Sequence, residues 1–473
     1  MNRSDLKHAL LRGGLYITLR QLISMVLSLI SVLVITRILG PERYGWYLIG
    51  FSCNAFATSL ATVGLKTYLI RKPGDCSKQL QGEILAFLIV SSTVLSIMVA
   101  LTASSVAYWT NVPELRLILI SMAPATLLDT CAGVPLGLLE RNLQYQRSSL
   151  AEIGSLLIYY VAAIFLVLIG WGVWGLITAF LLQSVFQVVV AFVFHPVRPV
   201  WPKNGNLLRD ALNYGTSYSM AIWVDQTRGL GVSLLLGRLV GAEAVGLVGV
   251  TTRIVNLLAV AEPVARQLGI SGFAKLQDDP SAMRRSLSKA ITYQAFLLTF
   301  AFGLFACLSP LLIPLILGSK WHGVSFLFPF IALALLFKII FTLHTLVLFA
   351  MGHNIDVLRF SLVNAAVMFI TLVILGGPFQ IWGYVAAEML CLPVYSLLHW
   401  SVSRVIGSPN YKPFLYLSAG TAIPLMITNQ LPPFFSIPLL IAGFSIACLA
   451  SSELRAVYRE LEAVLNRKRK KYS

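Results

Sequence analysis

Long apolar stretches recur along nearly the whole chain, and they limit its fold more than any other feature. Of its 473 residues, 57% are apolar and only 12% are charged, and the mean hydropathy is +0.80. A helix that crosses the hydrocarbon core of a membrane needs about 20 apolar residues, and about fourteen such helices would account for the apolar fraction. Little sequence is left for a soluble domain, so we expect an all-α polytopic membrane protein.

The polar links between the apolar stretches predict fourteen helices, in sets of six, six and two. They lie at about 14 to 37, 45 to 70, 82 to 108, 115 to 139, 149 to 169, 172 to 194, 211 to 236, 244 to 272, 288 to 318, 322 to 350, 358 to 376, 380 to 405, 411 to 429 and 434 to 452. The predicted domains are an N-terminal six-helix lobe (1–195), a cytoplasmic linker (196–210), a C-terminal six-helix lobe (211–405), two additional helices (406–452) and a basic cytoplasmic tail (453–473). The basic N-terminus lacks a small-residue cleavage site, which favours a retained first helix over a signal peptide.

The basic residues predict the orientation. Alternate links place 25 of the 36 Lys and Arg residues on the side of the N-terminus and five on the opposite side, with six inside helices. Because Lys and Arg are retained on the cytoplasmic side, we expect a multi-pass protein of the bacterial cytoplasmic membrane with both termini inside. The net charge of +17 is scattered over short links and a tail, so it indicates membrane lipids and not nucleic acid as the partner.

The two six-helix sets share three patterns in the same order, which indicates an internal duplication. The matches are RILGPERYG (37–45) with RLVGAEAVG (238–246) as R-x-x-G-x-E-x-x-G, Asn142 and Arg147 with Asn354 and Arg359, and Trp174-Gly175 with Trp382-Gly383. An even number of helices per set makes the repeats parallel, related by an axis along the membrane normal. Such repeats are typical of transporters with a substrate site between the halves. A duplicated scaffold without transport is the alternative.

Charged residues inside the predicted helices are the candidate site residues. A charge in hydrocarbon costs ~2.5 to 3.5 kcal/mol on insertion scales, so it usually faces a cavity or a partner. The basic residues are Arg20, Lys66, Arg228, Arg253, Arg266 and Lys338. Five of the six fall on the first two helices of the two sets, which predicts a cationic cavity for an anionic substrate. A guanidinium engages phosphate in bidentate geometry, so a diphosphate headgroup would suit them.

The basic residues have alternative explanations. Arg20 and Lys66 lie near cytoplasmic helix ends, where snorkelling to the headgroups explains them equally well. Arg253 has no acidic residue at pairing distance along its helix and is the strongest single candidate. The sequence leaves the role of Lys338 open.

Four acidic residues also lie inside the predicted helices. Asp225 precedes Arg228 by three residues and Glu262 precedes Arg266 by four, spacings that permit neutralising pairs on one helix face. Intramembrane carboxylates also form sites for Na⁺ or for a proton that drives transport. Asp129, Asp225, Glu262 and Glu388 are therefore candidates for ion coupling or for charge balance.

Motifs for cofactors and catalysis are weak in the sequence, and the one formal match, SxxK at Ser286 and Lys289, lies in a predicted cytoplasmic link where chance explains it. The sequence contains no GxxxxGK[ST] and no HExxH, and its six cysteines show neither CxxC nor CxxH spacing. We expect no cofactor, no metal site and no catalytic residue.

The two copies of the repeat motif, together with LLERNLQYQRSSLAEI after helix 4, resemble polysaccharide transporters of the multidrug/oligosaccharidyl-lipid/polysaccharide (MOP) exporter superfamily. The likeness is to flippases for O-antigen and exopolysaccharide repeat units, and it extends over the whole chain. It implies a V-shaped pair of six-helix lobes that moves an undecaprenyl-diphosphate-linked oligosaccharide to the outer leaflet by alternating access. It also implies a basic central cavity, for which Arg20, Lys66, Arg228 and Arg253 are the corresponding positions here, and a polymerase or export complex as partner.

Two other functions compete with the flippase. A drug/cation antiporter of the same superfamily would favour an acidic cavity, whereas the intramembrane charges here are six basic and four acidic. A membrane glycosyltransferase, polymerase or ligase acting on lipid-linked sugars would need a sizeable extramembrane loop, and the longest links here are short. We therefore expect a transporter and not an enzyme.

Overall fold

The computed structural model describes the backbone of residues 3–459, apart from 73, 75, 202–205, 260–261, 263–265, 267–268, 270–271, 274–275 and 428–431; side chains are described from residue 23, with a few further gaps. The helices are α1 (Arg3–Thr62), α2 (Leu65–Arg71), α3 (Lys78–Thr110), α4 (Leu115–Arg141), α5 (Tyr145–Leu168), α6 (Val173–Phe194), α7 (Asn206–Leu239), α8 (Ala242–Leu258), α9 (Pro280–Leu317), α10 (His322–Ala350), α11 (Asn354–Phe379), α12 (Ile381–Leu390), α13 (Tyr395–Ile406), α14 (Lys412–Ile427), α15 (Pro433–Ala450) and α16 (Ser452–Arg459). No strand occurs among these residues, and the predicted all-α class is confirmed.

Predicted and observed helices follow the same order, with breaks that glycine and proline explain. The first two predicted helices share α1, which is broken at Gly40 (φ 75°), and Pro41 begins its second part. The predicted helix 380 to 405 is split into α12 and α13 by a 3₁₀ turn, Leu392–Val394. The last part of the predicted helix 244 to 272 lies largely outside the described residues.

Eight helices within the described part of the chain are long and apolar enough to cross a membrane, and two bent pairs raise this number to ten. The second part of α1 and α2 form one bent pair at 46°, while α15 and α16 form the other at 109°. The predicted number is fourteen. α8 has 17 residues and α14 has 16, so both are short for a span of about 20 residues. The chain is a multi-pass membrane protein.

The first compact unit comprises residues Met1–Gly246. Its helices α3 and α4 pack as one pair and α5 and α6 as another, and α1 contacts α4 and α5. Leu65, Leu80, Ile84 and Leu138 are fully buried in its core. α7 packs against α1, α2 and α3, so packing places it in this unit, whereas the sequence repeat places it at the start of the second set.

The second compact unit comprises residues Leu247–Ser473. α9 packs against α10 and α11 against α12, and the additional helices α14 and α15 pair with each other and contact α9. Tyr411, just before α14, ties the added helices to the rest of the unit. Its hydroxyl oxygen lies 2.6 Å from Nε2 of the fully buried His344 and 2.9 Å from Nδ1 of His399.

Candidate functional site: the α1–α7 contact and the intramembrane charges

The second part of α1 and α7 run antiparallel along a contact of small and polar residues, which we call the α1–α7 contact. An added Cβ at Gly64 would lie 2.7 Å from Oγ of Ser219, and one at Gly237 would lie 3.0 Å from Cδ1 of Ile49. Between these ends, the hydroxyl oxygens of Ser52 and Ser233 are 3.0 Å apart. Small side chains therefore let the two backbones approach closely, as is common between membrane helices.

The duplicated motif adjoins the Gly237 end of this contact, where a reciprocal pair of glycines joins the second part of α1 to the start of α8. A Cβ at Gly45 would collide with the carbonyl oxygen of Ala242, and a Cβ at Gly246 would collide with the carbonyl oxygen of Pro41. Gly246 and Ala242 occupy in the second repeat the positions of Gly45 and Pro41 in the first. Each repeat therefore packs its glycine against the equivalent backbone carbonyl of the other repeat. The repeat is therefore visible as a local twofold relation within the first unit.

The remaining motif residues have roles at helix ends. Arg238 lies in the last turn of α7, Gly241 follows with φ 118°, and Glu243 lies in the first turn of α8. A cation near a helix C-terminus and an acid near a helix N-terminus both complement the helix dipole, and glycine adopts the positive φ of a helix end without strain. The motif thus specifies a helix break and a close helix contact.

A polar cavity of about 500 Å³ lies beside this end of the α1–α7 contact. Glu42, Glu114 and Arg238 line it with exposed side chains, and the half-buried indole of Trp46 forms another part of its wall. No local pattern groups these residues in the sequence, because they come from separate segments of the chain.

In the first unit, the predicted basic residues differ in their surroundings. Nζ of Lys66 lies 2.9 Å from Oε1 of Glu140 at the end of α4, and the side chains are 31% and 21% exposed. Arg228 is half-buried on α7 with its Nε inside the protein, and Asp225 is exposed on the same helix. The side chain of Arg20 lies outside the described residues.

Asp129 lies on a stretch of α4 that carries further polar side chains. Asp129 is half-buried and faces the hydroxyl of Ser184 on α6. One turn earlier, Oγ1 of Thr126 donates a hydrogen bond of 2.8 Å to Oδ1 of Asn54 on α1. α4 therefore makes polar contacts with both α1 and α6 along this stretch.

The predicted residues of the second unit are dispersed among its helices. Arg253 is half-buried on α8, and Lys338 is exposed on α10. Nε of Arg266 donates a hydrogen bond of 2.9 Å to Oε1 of Glu262, which is the pair that their spacing permits.

Glu388 accepts a hydrogen bond of 2.9 Å from the hydroxyl of Tyr384, one helical turn earlier. A spacing of four residues could have suggested this bond from the sequence. Glu140 is different, because it lies 74 positions from Lys66 and no local pattern connects the two.

Comparisons with known proteins identify the family. A family model described as "Polysaccharide biosynthesis protein" matches residues 34–326, more than half of the chain. The chain belongs to this family. No protein of curated function matches the sequence significantly.

The fold is that of MOP-superfamily transporters. The chain is similar to the lipid II flippase MurJ in an inward closed conformation, with a TM-score of 0.73 and 14% identity over 94% of this chain and 99% of that one. It is also similar to a multidrug resistance MATE family transporter in an inward-facing conformation, with a TM-score of 0.62 and 15% identity over 82% of this chain and 98% of that one.

Proposed function

We propose that the protein is a flippase that moves an undecaprenyl-diphosphate-linked oligosaccharide, an O-antigen or exopolysaccharide repeat unit, from the cytoplasmic to the outer leaflet by alternating access. The observation that carries the proposal is the combination of a polysaccharide biosynthesis family with a fold shared over nearly the full length with a lipid II flippase. A bacterial cytoplasmic membrane and cytoplasmic termini belong to the same proposal, supported by the distribution of Lys and Arg.

The proposed substrate contacts are the intramembrane cations. Arg253 and Arg228 are half-buried, so they can hold a phosphate partly shielded from water, where charge-assisted hydrogen bonds are strong. Arg20 is included as a proposed substrate contact on the basis of the sequence. Lys66 and Arg266 each have a carboxylate partner, which a phosphate would have to replace or share. The polar cavity beside Trp46 and Glu114 offers an indole and carboxylates to the hydroxyl groups of a glycan.

The proposed coupling site is Asp129. Its side chain is half-buried and faces the hydroxyl of Ser184, and intramembrane carboxylates often serve as sites for a proton or Na⁺. Asp225, Glu262 and Glu388 remain alternative positions, and the hydrogen bond to Glu388 and the ion pair of Glu262 favour charge balance for those two.

The sidedness of the lipid-linked oligosaccharide tests the proposal. In cells that lack the protein, we expect the complete lipid-linked unit to accumulate on the cytoplasmic face. The wild type and the matched control Arg359→Ala, whose side chain is 74% exposed beside Asp356, should restore transfer. Arg253→Ala should lower it at least tenfold, and Asp129→Asn should remove its dependence on the ion gradient.

The outcomes separate the competing functions. Normal sidedness without the protein contradicts the flippase. An incomplete glycan in place of a trapped complete unit would identify an enzyme of the pathway. Altered sensitivity to cationic drugs with normal sidedness would identify an antiporter.

A further inference from the structure

A second cavity, of about 540 Å³, lies in the second unit where the first turns of α9 meet the link before α14 and the short helix α16. Four of its lining residues lie on one face of α9 as two pairs spaced by four residues, Arg284 with Ser288 and Arg285 with Lys289. Ala456 and Val457 of α16 form an apolar wall opposite them. We call this space the basic pocket.

The basic pocket lies at a membrane surface. α9 is a candidate span that begins at Pro280, so its cationic first turns lie at the end of that span. α16 is bent by 109° from α15, so it runs along the surface if α15 crosses the membrane. The distribution of Lys and Arg assigns this surface to the cytoplasm.

Charge in the basic pocket favours an anion. Among the described lining residues, Arg284, Arg285 and Lys289 oppose a single carboxylate, Glu453. That carboxylate is engaged by a neutral group, because Nδ2 of Asn410 donates a hydrogen bond of 2.7 Å to its Oε1. The pocket therefore carries an excess of two positive charges.

The surrounding hydrogen bonds fix the shape of the basic pocket. Oγ of Ser288 accepts a hydrogen bond of 3.0 Å from the backbone N–H of Asn410, which joins α9 to the link. The guanidinium of Arg284 packs against Gly407, where an added Cβ would lie 3.0 Å from Nη1. Arg285 turns toward the start of α9, since its Nη1 donates a hydrogen bond of 3.2 Å to Ser281.

An acidic group also lies at this helix start. Oδ1 of Asp279 accepts hydrogen bonds from the backbone N–H of Ala282 (2.9 Å) and from the hydroxyl of Ser281 (2.8 Å). The bond from Ala282, followed by that from Ser281, lowers the pKa of the Asp279 carboxyl. Asp279 is therefore ionised near neutral pH and offsets part of the charge of Arg285. Arg284 and Lys289 are left as the principal anion contacts.

We propose that the basic pocket binds the phosphate headgroup of an anionic membrane phospholipid. Arg284 and Lys289 contact the phosphate, and the first part of an acyl chain packs on Ala456 and Val457. Basic pockets between membrane helices at the cytoplasmic surface commonly bind such headgroups. The bound lipid would link α9 to α16, in addition to the contacts that α14 and α15 already make with α9. This inference is independent of the proposed function.

Native mass spectrometry of the full chain in detergent, titrated with phosphatidylglycerol, tests the proposal. We expect retention of phosphatidylglycerol in preference to phosphatidylcholine, together with a raised midpoint of thermal unfolding. The double variant Arg284→Gln/Lys289→Gln should weaken binding about tenfold or more. The control Arg359→Gln removes an exposed basic residue elsewhere in the second unit and should leave binding unchanged.

A variant with the opposite effect keeps the test informative if the double variant does not fold. Glu453→Gln removes the negative charge but retains an oxygen that accepts the bond from Asn410, so it should bind phosphatidylglycerol more tightly by a few fold. Equal binding of both phospholipids would show an apolar groove and overturn the proposal. Competition by millimolar inorganic phosphate would indicate a free-anion site and overturn it too, as would unchanged binding in both variants.

Discussion

The role of Lys66, a single intramembrane cation, depends on the residue with which it pairs. Its position near a helix end fits snorkelling and a cavity role equally well. The structure adds Glu140, whose Oε1 lies 2.9 Å from Nζ of Lys66, with both side chains no more than about one third exposed. A partly buried charge is costly without its partner, so removal of either side chain should destabilise the packing of α2 on α4.

We expect Lys66→Ala or Glu140→Ala to lower stability by about 1 to 3 kcal/mol, between the usual values for exposed and buried pairs. The double alanine variant should lose less than the sum of the two single changes. Thermal unfolding of the four proteins in detergent measures this coupling.

The charge swap Lys66→Glu/Glu140→Lys separates the two roles of Lys66. Restored stability and transport would show a structural pair. Restored stability without transport would show that the cation itself contacts the substrate. If the losses of stability in the two single alanine variants add up fully in the double variant, Lys66 and Glu140 do not stabilise each other.

At the scale of elements, the R-x-x-G-x-E-x-x-G motif acts on pairs of helices. Gly40 and Gly241, both with positive φ, mark the helix breaks within α1 and between α7 and α8. After these breaks, Gly45 of α1 and Gly246 of α8 let the two helices approach so closely that a Cβ at either glycine would collide. Because the contact is reciprocal, one motif copy requires the other. This explains why the same short pattern occurs twice at the same places in the two sets.

We expect Gly45→Ala to loosen the packing of α1 on the start of α8 and with it the adjoining α1–α7 contact, because an added methyl group meets the backbone carbonyl of Ala242. The paired substitution Ser52→Cys/Ser233→Cys reports this, since the native oxygens are 3.0 Å apart and the cysteines should form a disulfide in high yield. Gly45→Ala should lower that yield several fold.

Gly229→Ala is the matched control, because it lies on α7 with open space around it. An unchanged yield with Gly45→Ala would show that the close approach is not required. Loss of transfer on oxidation of the cysteine pair, with recovery on reduction, would show that α1 and α7 separate during transport.

At the scale of the whole molecule, the orientation rests on the asymmetry of Lys and Arg. Cys76 tests it, because it lies in the link between α2 and α3, whereas four of the other cysteines lie in helices and Cys391 is buried at the break between α12 and α13. A membrane-impermeant maleimide should label Cys76 in inverted vesicles and not in intact cells. The variant Cys76→Ser supplies the background, and labelling in intact cells would reverse the proposed orientation.

The rate of this labelling depends on pH. Partial burial raises the pKa of the Cys76 thiol above its usual value, against the opposing charges of Arg141 and Lys72. Because the thiolate is the reactive form, labelling should be slow at pH 7 and accelerate as the pH rises. A rate that is already maximal at pH 7 would contradict this shift.

The sequence by itself determined the all-α membrane class, the order of the helices, the duplication and the family resemblance. Hydropathy and glycine or proline breaks are local properties, so a segment carries them whatever its neighbours are. The ion pair of Glu262 and Arg266 is one that their spacing on one helix already permits.

The tertiary structure alone decided which distant residues meet. Lys66 finds Glu140, Gly45 meets Ala242, and Arg284 shares a pocket with Glu453. Each of these contacts joins residues 74 to 197 positions apart, and no periodicity relates them. Packing decided them, because a charge or an absent side chain acts only on the atoms that the folded chain brings within reach.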